Sequence, residues 1–206
     1  MAGNIVVTAS TGLVITLAEA KAQMRVDSDM TDEDTLITSL ITAAQSKLEK
    51  RYGWALLRQT RMELLDEFPS GTDPMTVQFP PVAAISSVEY LDEDGAEQTW
   101  TATEYQTTFA SVPANTLLVF PEIRPAYGYD YPDIRETDIN PVRIQYTCGY
   151  DGAANVPEEI KHAVKLLVSH WYENREEYLY GRVASAVDFA IEALMADFCD
   201  PRKMAA

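Results

Sequence analysis

The hydrophobic residues of this chain change their period twice, and that double switch limits what it can fold into. After residue 31, Leu36, Ile37, Leu40, Ile41, Ala44 and Leu48 are spaced three and four apart, the stripe of an amphipathic helix. Asp32, Glu33 and Asp34 suit the positive end of its dipole, Lys47, Lys50 and Arg51 the negative end, and Gly53 the stop. From Ala55 the period drops to two: Thr60, Met62 and Leu64 alternate with Arg61, Glu63 and Leu65, as in a half-buried strand. At Pro157 the helical period returns, with Ile160, Ala163, Val164, Leu167, Val168 and Trp171 on one face up to about Tyr178. A last helix over 185–198 carries Val187, Ile191, Leu194 and Phe198 before Asp200-Pro201 ends it. The order helices, sheet, helices predicts an α+β fold, a terminal α-helical bundle with an inserted antiparallel β unit.

Within that frame, Thr16 and Glu19 form a capping box that opens a short first helix, closed by Asp27-Ser28-Asp29. In the middle, Met75, Val77 and Phe79 alternate, 82–91 reads as a strand, and Asp92-Glu93-Asp94-Gly95 reads as a hairpin turn into 97–100. Strands over 116–120 and 142–147 complete a sheet of about five to seven strands. Residues 121–140, with three prolines and three tyrosines, form a long connection without clear period, the kind that is usually functional or disordered. The expected divisions are a flexible or docking arm over 1–15, a helical bundle from 16–54 and 148–198, a β domain over 55–147 and a tail over 199–206.

Charge separates the middle from the ends. Residues 62–123 carry eleven acids and no Lys or Arg, within a chain of net charge −16. Such a surface repels phosphate, which argues against a grip on the nucleic-acid backbone. No run of about 18 apolar residues exists to span a membrane, and Met1 to Thr16 lacks the head and core of a secretory signal. Cys148 and Cys199 have no metal-ligand spacing, which suits a reducing compartment.

The chemistry of an enzyme is hard to assemble from these residues. His162 and His170 lie eight apart on one helix, and Glu159 with His162 gives a single Glu-x-x-His, whereas a di-iron bundle needs two copies and further carboxylates. Cys148, at the end of a strand, reads as a small hydrophobe rather than a nucleophile. The Asp92–Gly95 run breaks the twelve-residue calcium pattern, and no glycine-rich phosphate loop follows any strand. No catalytic group, metal site or cofactor site is expected.

Two ordered blocks carry a resemblance. Ile15-Thr16-Leu17-Ala18-Glu19-Ala20-Lys21 with Met24-Arg25-Val26-Asp27, the acidic 32–34 start and Tyr52-Gly53-Trp54-Ala55-Leu56 make the first, with Trp54 where Arg is common. Tyr146-Thr147-Cys148-Gly149-Tyr150, Val156-Pro157, Ile160-Lys161 and His170-Trp171-Tyr172-Glu173-Asn174-Arg175-Glu176 make the second. Together they resemble the phage head–tail connector (adaptor, or head-completion) proteins, a part also found in gene-transfer agents. The resemblance is weakest over 60–140.

It implies a non-enzymatic virion protein, made in the host bacterial cytoplasm. Such a protein forms a homo-oligomeric ring, commonly of twelve copies, beneath the portal. The ring extends the DNA channel, lets DNA pass without specific binding, and offers a platform to stopper or tail proteins; no membrane is involved. The residues suggest where partners dock: Arg124, Tyr127, Tyr129, Tyr131 and Arg135 in the long loop, and Tyr172, Tyr178 and Tyr180 after Trp171. At the C-terminus, Phe198, Arg202, Lys203 and Met204 are expected to meet the portal. The alternative is a carbohydrate- or protein-binding β module on a helical base, using Tyr90, Trp100 and Tyr105. A hydrolase built on Cys148 or His170 lacks a third triad member.

Overall fold

The computed structural model describes residues 3–108, 122–135, 138–174 and 183–198. Among the described residues, four α-helices and antiparallel strands make the fold mixed α+β. The chain divides into two compact units, Met1–Ser10 with Arg58–Gly149, and Thr11–Leu57 with Tyr150–Ala206.

In the second unit, α1 (Leu17–Met24) starts on the expected capping box. The Glu19 N–H donates to Thr16 Oγ1 (3.1 Å), and the Thr16 N–H donates back to Glu19 Oε2 (2.8 Å). Lys21 is then buried, its ammonium paired with Asp34 (2.5 Å) and donating to the carbonyls of Met30 (2.7 Å) and Ser28 (3.4 Å). This cation staples the α1–α2 turn, and α2 (Asp34–Tyr52) begins at the carboxylate it holds. Gly53 ends α2 in the left-handed region (φ 64°), where a side chain would be strained.

Packing of α2 on α3 (Glu158–Glu173) forms the core of this unit. Ile37, Ile41, Ala44 and Leu48 go in from α2, and Ile160, Ala163, Val164, Leu167 and Val168 from α3. Each of the Ile, Leu and Val side chains contributes roughly 1.5–3 kcal/mol. The expected stripe is corrected at two places: Leu40 is only half-buried and Leu36 is exposed. Gln45 takes a buried position instead, accepting from the Val14 N–H (2.8 Å), so the buried line runs through 37, 41, 44, 45 and 48. The next helix described, α4 (Val183–Met195), buries Ile191 and Met195, and a 3-10 turn (Ala196–Phe198) follows.

The first unit holds a five-stranded sheet in the order β1-β2-β8-β4-β5 and a three-stranded sheet β3-β7-β6. The strands are β1 (Gly3–Thr8), β2 (Gln59–Leu65), β3 (Met75–Thr76), β4 (Val82–Leu91), β5 (Glu97–Thr99), β6 (Tyr105–Thr107), β7 (Glu122–Pro125) and β8 (Val142–Cys148). Asp92 closes the hairpin between β4 and β5, accepting from the N–H groups of Asp94 (3.1 Å) and Ala96 (2.8 Å), with Gly95 at φ 82°. Strand β7 lies inside the stretch read as a long irregular connection, and the strand expected over 116–120 falls outside the described residues.

Two expectations about this unit are corrected. Residues 3–8, expected in a flexible arm, form β1 on the edge of the sheet, in register from Gly3 opposite Leu64 to Thr8 opposite Thr60. And β2 keeps its two-residue period but turns its polar face inward: Gln59, Arg61 and Glu63 are buried, while Thr60, Met62 and Leu64 are half-buried. On the same inner face β8 supplies Val142, Ile144, Tyr146 and Cys148.

The cause of both is one polar network. Asn4 Nδ2 donates to Glu63 Oε2 (2.6 Å) and to the Tyr146 hydroxyl (2.7 Å), and Asn4 Oδ1 accepts from Arg61 (2.7 Å). The Tyr146 hydroxyl donates to the Gln78 carbonyl (2.8 Å), and the Arg61 guanidinium lies 3.5 Å from the Phe79 ring centre. Buried charges persist only when paired and hydrogen-bonded, and β1 brings part of what this pair requires. Burial, and then the nearby Glu63 charge, push the Tyr146 phenol far above its ordinary range, so it stays protonated.

Candidate interaction surfaces

Among the described residues no group of three or more His, Cys, Asp or Glu side chains converges on one point. Cys148 is buried in the sheet with its sulfur 3.8 Å from the Gln59 carbonyl. His162 is exposed on α3, and His170 receives the Asn174 side chain at the end of that helix (3.2 Å). The geometry offers surfaces, and three of them stand out.

The first rises from an aromatic cluster in the β unit. Phe68 stacks on Tyr131 (centroids 5.1 Å) and meets Tyr90 (6.1 Å) and Trp100 (5.8 Å) edge-on; Trp100 also meets Tyr105 (5.1 Å). The Tyr131 hydroxyl donates to the Asp73 carbonyl (2.6 Å). Desolvation holds the phenols of Tyr90, Tyr105 and Tyr131 above their ordinary range. At 3% exposure, Trp100 has no face left for a sugar ring. Of the three aromatics on which the carbohydrate reading stood, Trp100 is therefore packed within the subunit, and Tyr90 and Tyr105 are half-buried.

Above this base, residues 126–129 make a tight turn. The Ala126 N–H donates to the Glu104 carbonyl (2.8 Å), the Tyr129 N–H returns to the Ala126 carbonyl (3.0 Å), and Gly128 sits at φ 88°. Tyr127 is exposed in full (103%) and Tyr129 by half. Of the five loop residues expected to dock, Tyr127, Tyr129 and Arg135 are exposed, and Arg124 and Tyr131 are half-buried. Tyr131 belongs to the cluster, Arg124 pairs with Glu122, and Arg135 lays its guanidinium over Gly95 where any side chain would collide with it.

The second surface belongs to the helical unit. Leu36, Leu40, Trp171, Tyr172 and Asn174 line an open groove of about 450 Å³ between the start of α2 and the end of α3. The Lys47 ammonium lies 5.3 Å from the centre of the Trp171 ring. Tyr172 donates its hydroxyl to Glu33, so its ring forms a fixed wall of the groove. At the far end of α2, Arg51 pairs with Glu192 (2.5 Å) and Asp188 (3.4 Å) of α4, and the next residue, Phe189, is 73% exposed. Sequence reading missed Phe189, which lies off the stripe used for α4. Phe198, expected at a partner, packs edge-on against Trp54 (5.6 Å) inside this unit, because the 3-10 turn folds it back. Tyr178, Tyr180, Arg202, Lys203 and Met204 lie outside the described residues.

The third is β1, an edge strand on which Ile5, Val6 and Val7 are each 47% exposed. It carries no Lys or Pro to discourage pairing.

Comparison with known proteins gives a consistent answer. A family model described as head completion protein matches residues 13–193. No curated protein is similar enough to the chain to count as a match. Among solved structures, a chain in the virion of a native gene transfer agent (GTA) particle superposes with a TM-score of 0.74 at 22% identity, covering 95% of this chain and 94% of that one. A chain in the neck of an empty GTA particle, computed with C6 symmetry, gives 0.74 at 23%, covering 96% and 95%. A chain in the neck of a native GTA particle, computed with C12 symmetry, gives 0.63 at 21%, covering 93% and 94%. At these identities the likeness is one of fold.

Proposed function

We propose, from the premise that this chain belongs to the head completion protein family, that it is a structural head–tail connector and not an enzyme. In this reading it is a virion protein whose copies form a ring, twelve being the expected number, beneath the portal of a phage or phage-derived particle. In sequence, the β unit is inserted between the two halves of the helical bundle. The ring extends the DNA channel and presents a platform to stopper or tail proteins. The observation that carries this is the family match over nearly the whole chain, supported by the shared fold with GTA neck chains.

The physical chemistry agrees. A conduit for DNA must not hold it, and eleven acids without a Lys or Arg over residues 62–123 repel phosphate. DNA therefore passes without specific binding. Tyr127 and Tyr129, raised on a rigid aromatic base, have the form of anchors for a neighbouring protein, because aromatic residues on preorganised turns lose little entropy on docking. The tail residues Arg202, Lys203 and Met204 are the cationic end of an anionic chain and are assigned to the portal, with Tyr178 and Tyr180 as further aromatic contacts.

Electron micrographs of the purified protein mixed with its portal test this reading. Rings seated on the portal are the expected image. A protein that leaves the portal bare, at concentrations where its particle assembles, refutes it. Tyr127→Ala with Tyr129→Ala is expected to leave the rings intact and lower the yield of particles carrying a tail.

A further inference from the structure

We propose that adjacent copies of this chain are joined by Phe189 of one copy seated in the groove formed by Leu36, Leu40, Trp171 and Tyr172 of the next. This rests on the ring reading above and names the contact that closes it. Both halves lie in the helical unit, so their separation is fixed. The groove is at the N-terminal end of α2, whereas α4 is tied to its C-terminal end by Arg51. From Leu40 to Arg51 the helix rises about 16 Å, at 1.5 Å per residue. Phe189 therefore cannot fill the groove of its own copy.

A knob and a hole at different ends of one body make a heterologous contact, which propagates from copy to copy and closes when the rotation divides the circle. An isologous pair would stop at two. The chemistry of the two faces also matches. Phe189 is exposed beside Asp188 and Glu192, two acids that share the single cation Arg51, so its surroundings keep one net negative charge. The groove is walled by an indole and a phenol ring, and the exposed cation Lys47 stands over the indole. An aromatic knob flanked by acids thus meets an aromatic slot flanked by a base. A phenyl ring buries about 150–250 Å² when it enters such a slot. Leu36, at 38% exposure, is an apolar side chain that the monomer leaves uncovered at the rim.

The test uses the full chain in two formats. Phe189→Asp and Leu36→Asp alter exposed side chains, so both variants are expected to fold, which circular dichroism checks. Each alone is expected to lower the ring fraction at least tenfold by mass photometry, with or without portal. Mixed in equal amounts they retain one competent contact, between the groove of the first and the knob of the second. The mixture is expected to give dimers and no rings, a result an isologous or unrelated interface does not produce.

In the second format, Ser39→Cys with Ala193→Cys, exposed positions beside the groove and the knob that leave both intact, in a Cys199→Ser background is treated with a short bismaleimide after assembly. A ladder of covalent multimers is expected, absent from either single-cysteine chain. Rings that form normally from both Asp variants, without the ladder, overturn the contact and leave the ring reading intact. The groove would then belong to another occupant, such as residues 175–182 of the same chain. Wild-type protein that forms no rings even on the portal overturns the ring reading and this contact together.

Discussion

Asn4→Ala tests whether the first residues belong to the fold. The substitution removes three hydrogen bonds: from Asn4 Nδ2 to the Glu63 carboxylate and the Tyr146 hydroxyl, and from Arg61 to Asn4 Oδ1. Two of these involve a charged partner, at about 1.5–3 kcal/mol each, and the third is neutral, at about 1 kcal/mol. Their sum is an upper bound, because Asn4 is itself only half-buried and water can enter to replace part of what is lost. A destabilisation of about 3 kcal/mol follows, against the 0.5 kcal/mol or less of an ordinary surface change. With an m-value of about 2 kcal/mol/M, the urea midpoint of the β unit falls by about 1.5 M. Hydrogen exchange locates the effect: amides of β1 and β2 lose protection first, while those of α2 and α3 keep theirs. Asn4→Ala protein with an unchanged midpoint and unprotected β1 amides in the wild type would refute the argument and restore the free arm.

Other perturbations read other parts of the molecule. Thr16→Ala removes one half of the capping box and is expected to cost about 1 kcal/mol in thermal melts. The Thr16 N–H chiefly, aided by its hydroxyl and by Lys165, holds the Glu19 carboxyl below the usual carboxylate range. A depressed carboxyl stabilises the fold in full above its unfolded value and loses that contribution as pH falls through the folded one; Thr16→Ala keeps the backbone N–H and removes only the hydroxyl's share, so a minor part of its penalty disappears below about pH 4. Ile41→Asp places an unpaired charge at a fully buried position and is expected to abolish folding, whereas Leu40→Asp, at the half-buried groove, gives folded protein by circular dichroism. Deletion of residues 199–206 is expected to leave a folded subunit that fails to join portal-bearing heads; wild-type numbers of completed heads would assign attachment to another segment.

What the sequence made legible was whatever depends on neighbours in sequence. The capping box at Thr16, the Gly53 stop, the hairpin at Asp92–Gly95 and the buried face of α3 all follow from residues within two turns of one another. The inward polar face of β2 does not. Its pattern carries the right period, but which face goes in is decided by Asn4, 57 residues from Arg61, and by Tyr146, 142 residues from Asn4. The run Asn4-Ile5-Val6-Val7-Thr8 held the available signal, since β-branched residues favour strands, and an edge strand fits it better than an arm. The docking residues divide for the same reason. Tyr127, Tyr129 and Tyr131 are indistinguishable by spacing, yet Phe68 and Asp73 claim Tyr131 from more than 50 residues away, and Gly128 turns the other two outward.

The exposed strand edge poses a problem that the composition answers. Three adjacent aliphatic side chains on an unguarded edge are a template for pairing with another chain, and most proteins block such an edge with a Lys or a Pro. Here the guard is the net charge. At −16, two subunits that approach edge to edge repel each other before backbone hydrogen bonds can form, within a range of about 10 Å at 0.1 M salt. That repulsion falls on every pair of copies alike, so it must also be overcome where copies are meant to join. A specific contact does so by short-range burial and local charge pairing, and Phe189 with Lys47 and the Trp171 groove supplies both. Net charge then acts as a filter: it suppresses the weak, non-directional pairing of the β1 edge and passes the contact proposed above, where aromatic burial and opposite charges exceed it.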